Sequence, residues 1–109
     1  VTSIPQLSPA ETLELLQRLG PGGRLLDVRE GWEYDMVHVE GSQHIPMDQI
    51  PQRLKELNPE HTYAVLCHHG RRSQQVANFL GSQGFGHLVN VAGGIDAWAE
   101  SLDPEMARY

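Results

Sequence analysis

Short apolar runs alternate with stretches of helical periodicity along this chain, and that alternation limits its fold more than any other feature. Leu25-Leu26-Asp27-Val28, Tyr63-Ala64-Val65-Leu66 and Leu88–Val91 are four-residue runs bounded by polar or glycine-rich segments. Such runs are too short for helices and suit strands buried on both faces. His44-Ile45-Pro46 reads as a very short strand stopped by its proline, and Ile4 before Pro5 as a short edge strand. Between them lie helical stretches. Ser8-Pro9-Ala10-Glu11 is a helix start, with Ser8 as N-cap, Pro9 at the first helical position and Glu11 completing a capping box. Leu13, Leu16 and Leu19 form the apolar stripe expected to face the core, and Gly20-Pro21-Gly22-Gly23 ends that helix. Further helical segments are expected near Glu30–Met36, over Pro51–Leu57, after residue 70 with Val76, Ala77 and Leu80 inward and an end at Gly81 or Gly84, and after Gly93-Gly94 with Ala97 and Trp98. Alternating strands and helices predict an α/β domain: three layers, with a small, mainly parallel sheet of four or five strands flanked by helices.

Size and composition narrow the function. At 109 residues the chain suits one domain over 1–109, large enough to bury a core without disulfide or metal staples. One cysteine makes no internal disulfide and fits a reducing compartment, so a cytoplasmic location is expected. No apolar run approaches membrane-spanning length, and the start lacks the basic-then-apolar layout of a signal peptide, although the sequence opens at Val1 and leaves a trimmed leader open. A net charge of −6 disfavours nucleic acid as a partner.

In α/β sheets, functional groups gather beyond the C-terminal ends of strands. Asp27, Arg29, Cys67 and Gly93-Gly94 all fall there. Cys67 ends the run Tyr63–Leu66 and opens the polar segment His68-His69-Gly70-Arg71-Arg72-Ser73, which leads into a helix. A thiol between a strand end and a helix N-terminus sits where backbone N–H groups converge and where its anion is stabilised. An unperturbed thiol ionises near about 8.5, and helix N-termini and cations lower that value. If residues 68 to 72 curl around the sulfur, their amides form an anion-binding nest, with Gly70 taking a backbone conformation that a β-carbon forbids. Ser73 can donate to the sulfur or cap the helix. Arg71 and Arg72 place positive charge beside the thiol, in a chain with only eight Lys plus Arg. A cradle of this kind takes a small oxyanion or stabilises a covalent adduct on sulfur. The bland alternative for a single cysteine is an inert core thiol, and the polar run behind Cys67 argues against it.

Other positions weigh differently. Asp27 reads as part of a structural ion pair; Arg29 stands equally for that pair and for the rim of a binding site. His68 and His69 are adjacent, so their side chains are expected to diverge, and no metal-ligand spacing is present. His38, His44, His61 and His87 read as structural or surface residues. Gly93-Gly94 reads as a tight turn, and Trp98 as core.

Four blocks, in order and in register, resemble the rhodanese family of sulfurtransferases. Leu26-Asp27-Val28-Arg29-Glu30 followed by Glu33 resembles its early Asp-Val-Arg block. His38-Val39-Glu40-Gly41-Ser42 through His44-Ile45-Pro46 is similar to its Gly-His-Ile-x-Gly-Ala-x-x-Ile-Pro block, with Val37 in place of the glycine and Ser42 in place of the alanine. Cys67-His68-His69-Gly70-Arg71-Arg72-Ser73 resembles its Cys-x-x-Gly-x-x-Ser loop, and Val91-Ala92-Gly93-Gly94 with Trp98 its Gly-Gly-x-x-x-Trp segment. The resemblance implies a single-domain sulfurtransferase. Cys67 would take the sulfane sulfur of an anionic donor such as thiosulfate as a persulfide and pass it to cyanide, a thiol or a protein. His68, His69, Gly70, Arg71, Arg72, Ser73 and Arg29 would bind substrate, without metal or organic cofactor. Two other readings remain open. One is a phosphatase or arsenate reductase, although a Cys-x5-Arg loop would need arginine where Ser73 stands. The other is a non-catalytic module that presents the loop to a protein partner.

Overall fold

The computed structural model describes residues 3–109; Val1 and Thr2, the first two positions of the expected domain, lie outside the described residues. The elements follow the alternation in the sequence: β1 (Gln6–Leu7), α1 (Pro9–Leu19), β2 (Gly23–Asp27), α2 (Gly31–Met36), β3 (Gln43–His44), β4 (Thr62–Leu66), α3 (Arg71–Ser82), β5 (Leu88–Val91) and α4 (Gly94–Leu102). The five strands form one sheet in the order β1-β5-β4-β2-β3, and every pairing is parallel. This is the α/β architecture expected, with the strand count at the upper of the two values.

The apolar runs are strands because both faces of the sheet are covered. Leu26, Val65, Tyr63 and Cys67 face one side, against Val76, Ala77 and Leu80 of α3 and Ile45 and Ile50. Leu25, Ala64, Leu66, Val89 and Val91 face the other, against Ile95 and Trp98 of α4 and the partly buried Leu15 and Leu16 of α1. Successive strand residues point to opposite faces, so a strand between two helical layers has no polar side to show. Register then aligns the strand ends. Asp27 pairs with Leu66, and the Val28 amide donates to the Leu66 carbonyl at 2.9 Å, so Arg29 and Cys67 emerge at the same edge.

Four local expectations are corrected. The first strand is Gln6–Leu7, after Pro5 and not before it, because these residues reach Asn90 and Val91 on β5. On α1 the inward side is Thr12, Leu15, Leu16 and Leu19, at helical spacing, while Leu13 is 37% exposed. Pro51–Glu56 is a 3-10 helix, interrupted by non-helical backbone at Arg53. Gly81 lies inside α3, and the left-handed glycine beyond the helix is Gly84, at φ 95°.

The start of α1 forms as its sequence dictates. The Ser8 hydroxyl accepts from the Glu11 amide at 3.1 Å, and the Glu11 carboxylate accepts from the Ser8 amide at 2.8 Å. Ser8→Ala is expected to lower the free energy of unfolding by about 1 kcal/mol. Denaturant melts that show no change would mean the box adds nothing here.

Candidate active site

The peptide after β4 is shaped from two directions. Gly70, the N-cap of α3, has φ 106°, a left-handed conformation that its missing β-carbon permits. That turn aims the Gly70 amide at the Cys67 sulfur, N to Sγ 3.0 Å. From the other side, the first turn of α4 grips the loop. The Ile95 amide donates to the Cys67 carbonyl at 2.8 Å and the Asp96 amide to the His68 carbonyl at 3.2 Å. These are α4 donors with no partner in their own helix. They hold two loop carbonyls away from the sulfur. Gly94, at φ 63°, makes the approach possible, since a β-carbon there would collide with the Cys67 and His68 carbonyls. The Gly93-Gly94 turn expected from the sequence is therefore also a clearance.

The sulfur lies at the bottom of this loop, with Cys67 only 1% exposed. Its second polar neighbour is the Ser73 hydroxyl at 3.3 Å, which comes from the first turn of α3 and not from a capping position. Behind Ser73 stands Asn90 of β5, 2% exposed, whose Oδ1 accepts the Ser73 hydroxyl proton. Of the amides expected to wrap the sulfur, Gly70's is the one within hydrogen-bond distance; the rest of that shell is a hydroxyl.

The arginines separate sharply. Arg29 is fully buried and spends its guanidinium inside the protein. Nε and Nη2 donate to the Asp27 carboxylate, Nη2 also to the Val37 carbonyl, and Nη1 to the Glu33 carbonyl and the Tyr109 hydroxyl. All five donors are engaged, so the expected substrate contact from Arg29 gives way to the structural ion pair. Arg72 grips Glu33 through two bonds, 2.6 and 2.9 Å. Burial alone would raise the Glu33 pKa. The Arg72 guanidinium, the Tyr109 hydroxyl at 2.7 Å and the Glu30 amide overcome it and hold the carboxyl at about 2. Glu33 in turn raises the Arg72 pKa, against the opposing effect of burial. Arg71 is exposed, with no salt bridge among the described residues.

His68 and His69 do not diverge. Their rings stack at 3.9 Å, and Tyr109 stacks on the other face of His68 at 3.9 Å. Trp32, 61% exposed, meets the Tyr109 ring edge-on. Burial, then the neighbouring His69, lowers the His68 pKa, which favours its neutral form. His68, His69 and Asp96 bring one ligand atom each within 4.8 Å of one another. The two rings are only 28° from parallel, so their nitrogen lone pairs do not converge on one point, and Asp96 is already engaged by Arg108 at 2.9 Å. Of the other histidines, His38 and His44 sandwich the Tyr34 ring, and His44 also contacts the Arg29 carbonyl at 2.7 Å.

Three residues of the site escaped sequence reasoning. Asn90 had a signal, as the one polar residue in an otherwise apolar strand. Glu33 stood beside the Asp-Val-Arg block without an assigned task. Tyr109 offered no signal, because only folding brings it to Arg29 and Glu33.

A family model for the rhodanese-like domain matches residues 8–101. The chain belongs to the rhodanese-like family. It is 33% identical over 104 residues to the thiosulfate sulfurtransferase GlpE of Actinobacillus pleuropneumoniae, covering 95% of this chain and 94% of the relative. It is 36% identical over 97 residues to the putative sulfur carrier protein YrkF of Bacillus subtilis, covering 89% of this chain but 52% of the relative, so the chain spans about half of that protein. Among solved structures, a rhodanese-related protein from Thermoplasma volcanium superposes with a TM-score of 0.79 at 30% identity, covering 96% and 99% of the two chains. A rhodanese-like domain protein from Staphylococcus aureus gives 0.80 at 29%, covering 97% and 99%. No helix among the described residues is long and apolar enough to cross a membrane.

Two outcomes follow from this geometry. Gly94→Ala is expected to destabilise the rhodanese-like fold by about 2 kcal/mol or more in chemical denaturation, since the new methyl group displaces backbone and strains a positive φ. Wild-type stability in that variant would mean α4 can withdraw from the loop at no cost. For Glu33 the folded pKa lies below the unfolded value, so the unfolded chain binds more protons between them and stability rises with pH. The contribution, about 3 kcal/mol, is full above pH about 4.5 and is lost as pH falls toward about 2. Glu33→Gln should flatten the acid limb of unfolding free energy against pH; an unchanged limb would contradict this.

Proposed function

We propose that this chain is a sulfurtransferase that carries a sulfane sulfur on Cys67 as a persulfide. The observation that carries the proposal is the Gly70 amide aimed at the Cys67 sulfur, in a loop whose Cys67 and His68 carbonyls are held by α4. A sulfur so placed is stabilised as an anion, and the anion is the nucleophile. Similarity to a named thiosulfate sulfurtransferase along almost its full length supports the same reading.

The thiolate attacks the outer sulfur of thiosulfate. An S–S bond to Cys67 forms, the donor's own S–S bond breaks, and sulfite leaves with the electron pair. A thiophilic acceptor, cyanide or a thiolate, then bonds to the outer sulfur, and the Cys67 thiolate leaves with its electrons. No net oxidation occurs, so the chain's own residues suffice and no cofactor is required. Exposed Arg71 draws the anionic donor in, while Arg72, locked to Glu33, gives a fixed positive charge near the sulfur. The deep position of Cys67 suits a terminal sulfur, a single slim atom, better than a bulky ester. Similarity to a putative sulfur carrier points to a protein or thiol as acceptor, and a lone free thiol suits the cytoplasm.

A phosphatase would need a free arginine to clamp phosphate. The loop is one residue short for it, and Arg72 is held by a buried carboxylate. That weighs against the phosphatase reading.

Thiosulfate treatment should add the mass of one sulfur atom to the wild type and nothing to Cys67→Ser. Cyanide should then remove it as thiocyanate. An unmodified wild type across several sulfane donors would defeat the proposal. Arg71→Ala should raise KM for thiosulfate several-fold with kcat little changed and weaken the salt dependence of kcat/KM; an unchanged KM would remove Arg71 from donor capture.

A further inference from the structure

Asn90 touches both groups that touch the sulfur. Its Nδ2 has two protons, given to Gln6 Oε1 at 2.8 Å and the Gly70 carbonyl at 3.1 Å, with Gln74 Oε1 at 3.3 Å as a shared, longer contact. A backbone carbonyl only accepts, so the Gly70 contact identifies which end of the amide is nitrogen. Oδ1 therefore faces Ser73 and also only accepts, so the Ser73 hydroxyl spends its single proton on Asn90. The Ser73 oxygen is then left with lone pairs toward Cys67, 3.3 Å away, and the thiol proton is the donor in that contact.

From this chain of contacts we propose that Asn90 is a positioning residue that governs the ionisation of Cys67 by competing with the sulfur for the Ser73 proton. In the resting thiol, S–H donates to Ser73 and Ser73 donates to Asn90. On ionisation the S–H bond breaks, its electrons stay on sulfur and the proton leaves to water. The Ser73 hydroxyl can then rotate about its C–O bond and donate to the thiolate, with no bond broken. That new bond is charge-assisted and the stronger of the two, but it strips a buried amide oxygen of its donor. Asn90 thus holds the idle cysteine toward the neutral thiol, which resists oxidation, while the Gly70 amide pulls it toward the anion. In the persulfide the inner sulfur carries no proton and the charge sits on the outer sulfur, so Ser73 returns to Asn90.

The other charged and titratable groups of the site are Arg71 and Arg72 of α3, Glu33 of α2, the Asp27–Arg29 pair at the end of β2, His68 and His69 of the loop, Asp96 of α4, and Tyr109. None of them makes a hydrogen bond to Ser73 or Asn90. A change at Asn90 that acts through Ser73 is therefore separable from theirs.

The test is a double-mutant cycle on the pH dependence of Cys67 alkylation by iodoacetamide, a readout of thiol ionisation that needs no sulfur transfer. It stands or falls apart from the function proposed above. Asn90→Ala in the wild-type background should lower the midpoint by about one pH unit, a tenfold rise in the ionisation constant. In the Ser73→Ala background the same substitution should leave the midpoint unchanged. An equal shift in both backgrounds, a rise, or no shift in the wild type overturns the proposal. Because Asn90→Ala also removes the Gly70 anchor, the S–H stretching band supplies a second arm that leaves Asn90 intact. Below the midpoint the wild-type band should lie at the low frequency of a donating thiol and move up in Ser73→Ala. A wild-type band already at the free-thiol frequency overturns the proposal as well.

Discussion

Two hydrogen bonds organise this molecule: those from the first amides of α4 to the carbonyls of Cys67 and His68. A carbonyl is the wrong partner for an anion, and a loop left to itself would turn some of its oxygens inward. By satisfying the carbonyls from outside, α4 leaves the inner side of the loop to the Gly70 amide. The same contacts answer a need of α4, whose first-turn donors have no partner in their own helix. They also demand a glycine at Gly94, where any side chain would strike the backbone being held. One short Gly-Gly turn thus serves sheet packing, helix capping and thiol chemistry together.

Around this loop, charge is buried in pairs and the pairs are linked. Asp27 with Arg29 and Glu33 with Arg72 are separate ion pairs, and the Tyr109 hydroxyl joins them by accepting from Arg29 and donating to Glu33. Burying one such charge alone would cost several kcal/mol. Paired, they instead tie β2, α2 and α3 together at one edge of the sheet. Burial also perturbs Tyr109 itself. Lost solvation, less the pull of Arg29 and with the push of Glu33, moves its pKa up to about 12, so it stays a neutral donor. Four arginine and carboxylate side chains are thereby withdrawn from direct chemistry, and Arg71 remains free to face solvent.

The polar chemistry behind the sulfur follows another rule. Ser73 and Asn90 are uncharged, buried and mutually satisfied, on two elements that pack side by side. A hydroxyl has one proton to give, and two acceptors here can use it. Gln6 and Gln74 complete the network from β1 and α3. The electrostatics at the thiol is therefore set by a strand two removed from β2 in the sheet, as well as by the loop that carries the cysteine.

Much of this fold was legible from local rules. Four-residue apolar runs became strands because a run that short, with no polar side, fits only a sheet covered on both faces. Ser8 and Glu11 formed their box because both partners lie within one turn. Gly70 and Gly93-Gly94 marked the places where the backbone leaves ordinary conformations, and Cys67 at a strand end marked the chemistry. The α1 stripe differs from its sequence pattern because a spacing of three fits several faces of a helix, and only contact with β2 and α4 selects Leu15 and buries Thr12. Arg29 and Arg72 read alike as cations near a thiol. Their fates diverge because Asp27 is two residues away in sequence while Glu33 reaches Arg72 from another helix. Asn90 and Tyr109 acquire their side-chain partners across 16 to 84 positions of chain. Patterns of polarity and turn residues act over a few bonds, so the chain by itself determined its elements, its layers and the edge where its chemistry lies. Hydrogen bonds between distant residues depend on how those elements pack, and so only the tertiary structure decided which cation stays free and which groups share the proton beside Cys67.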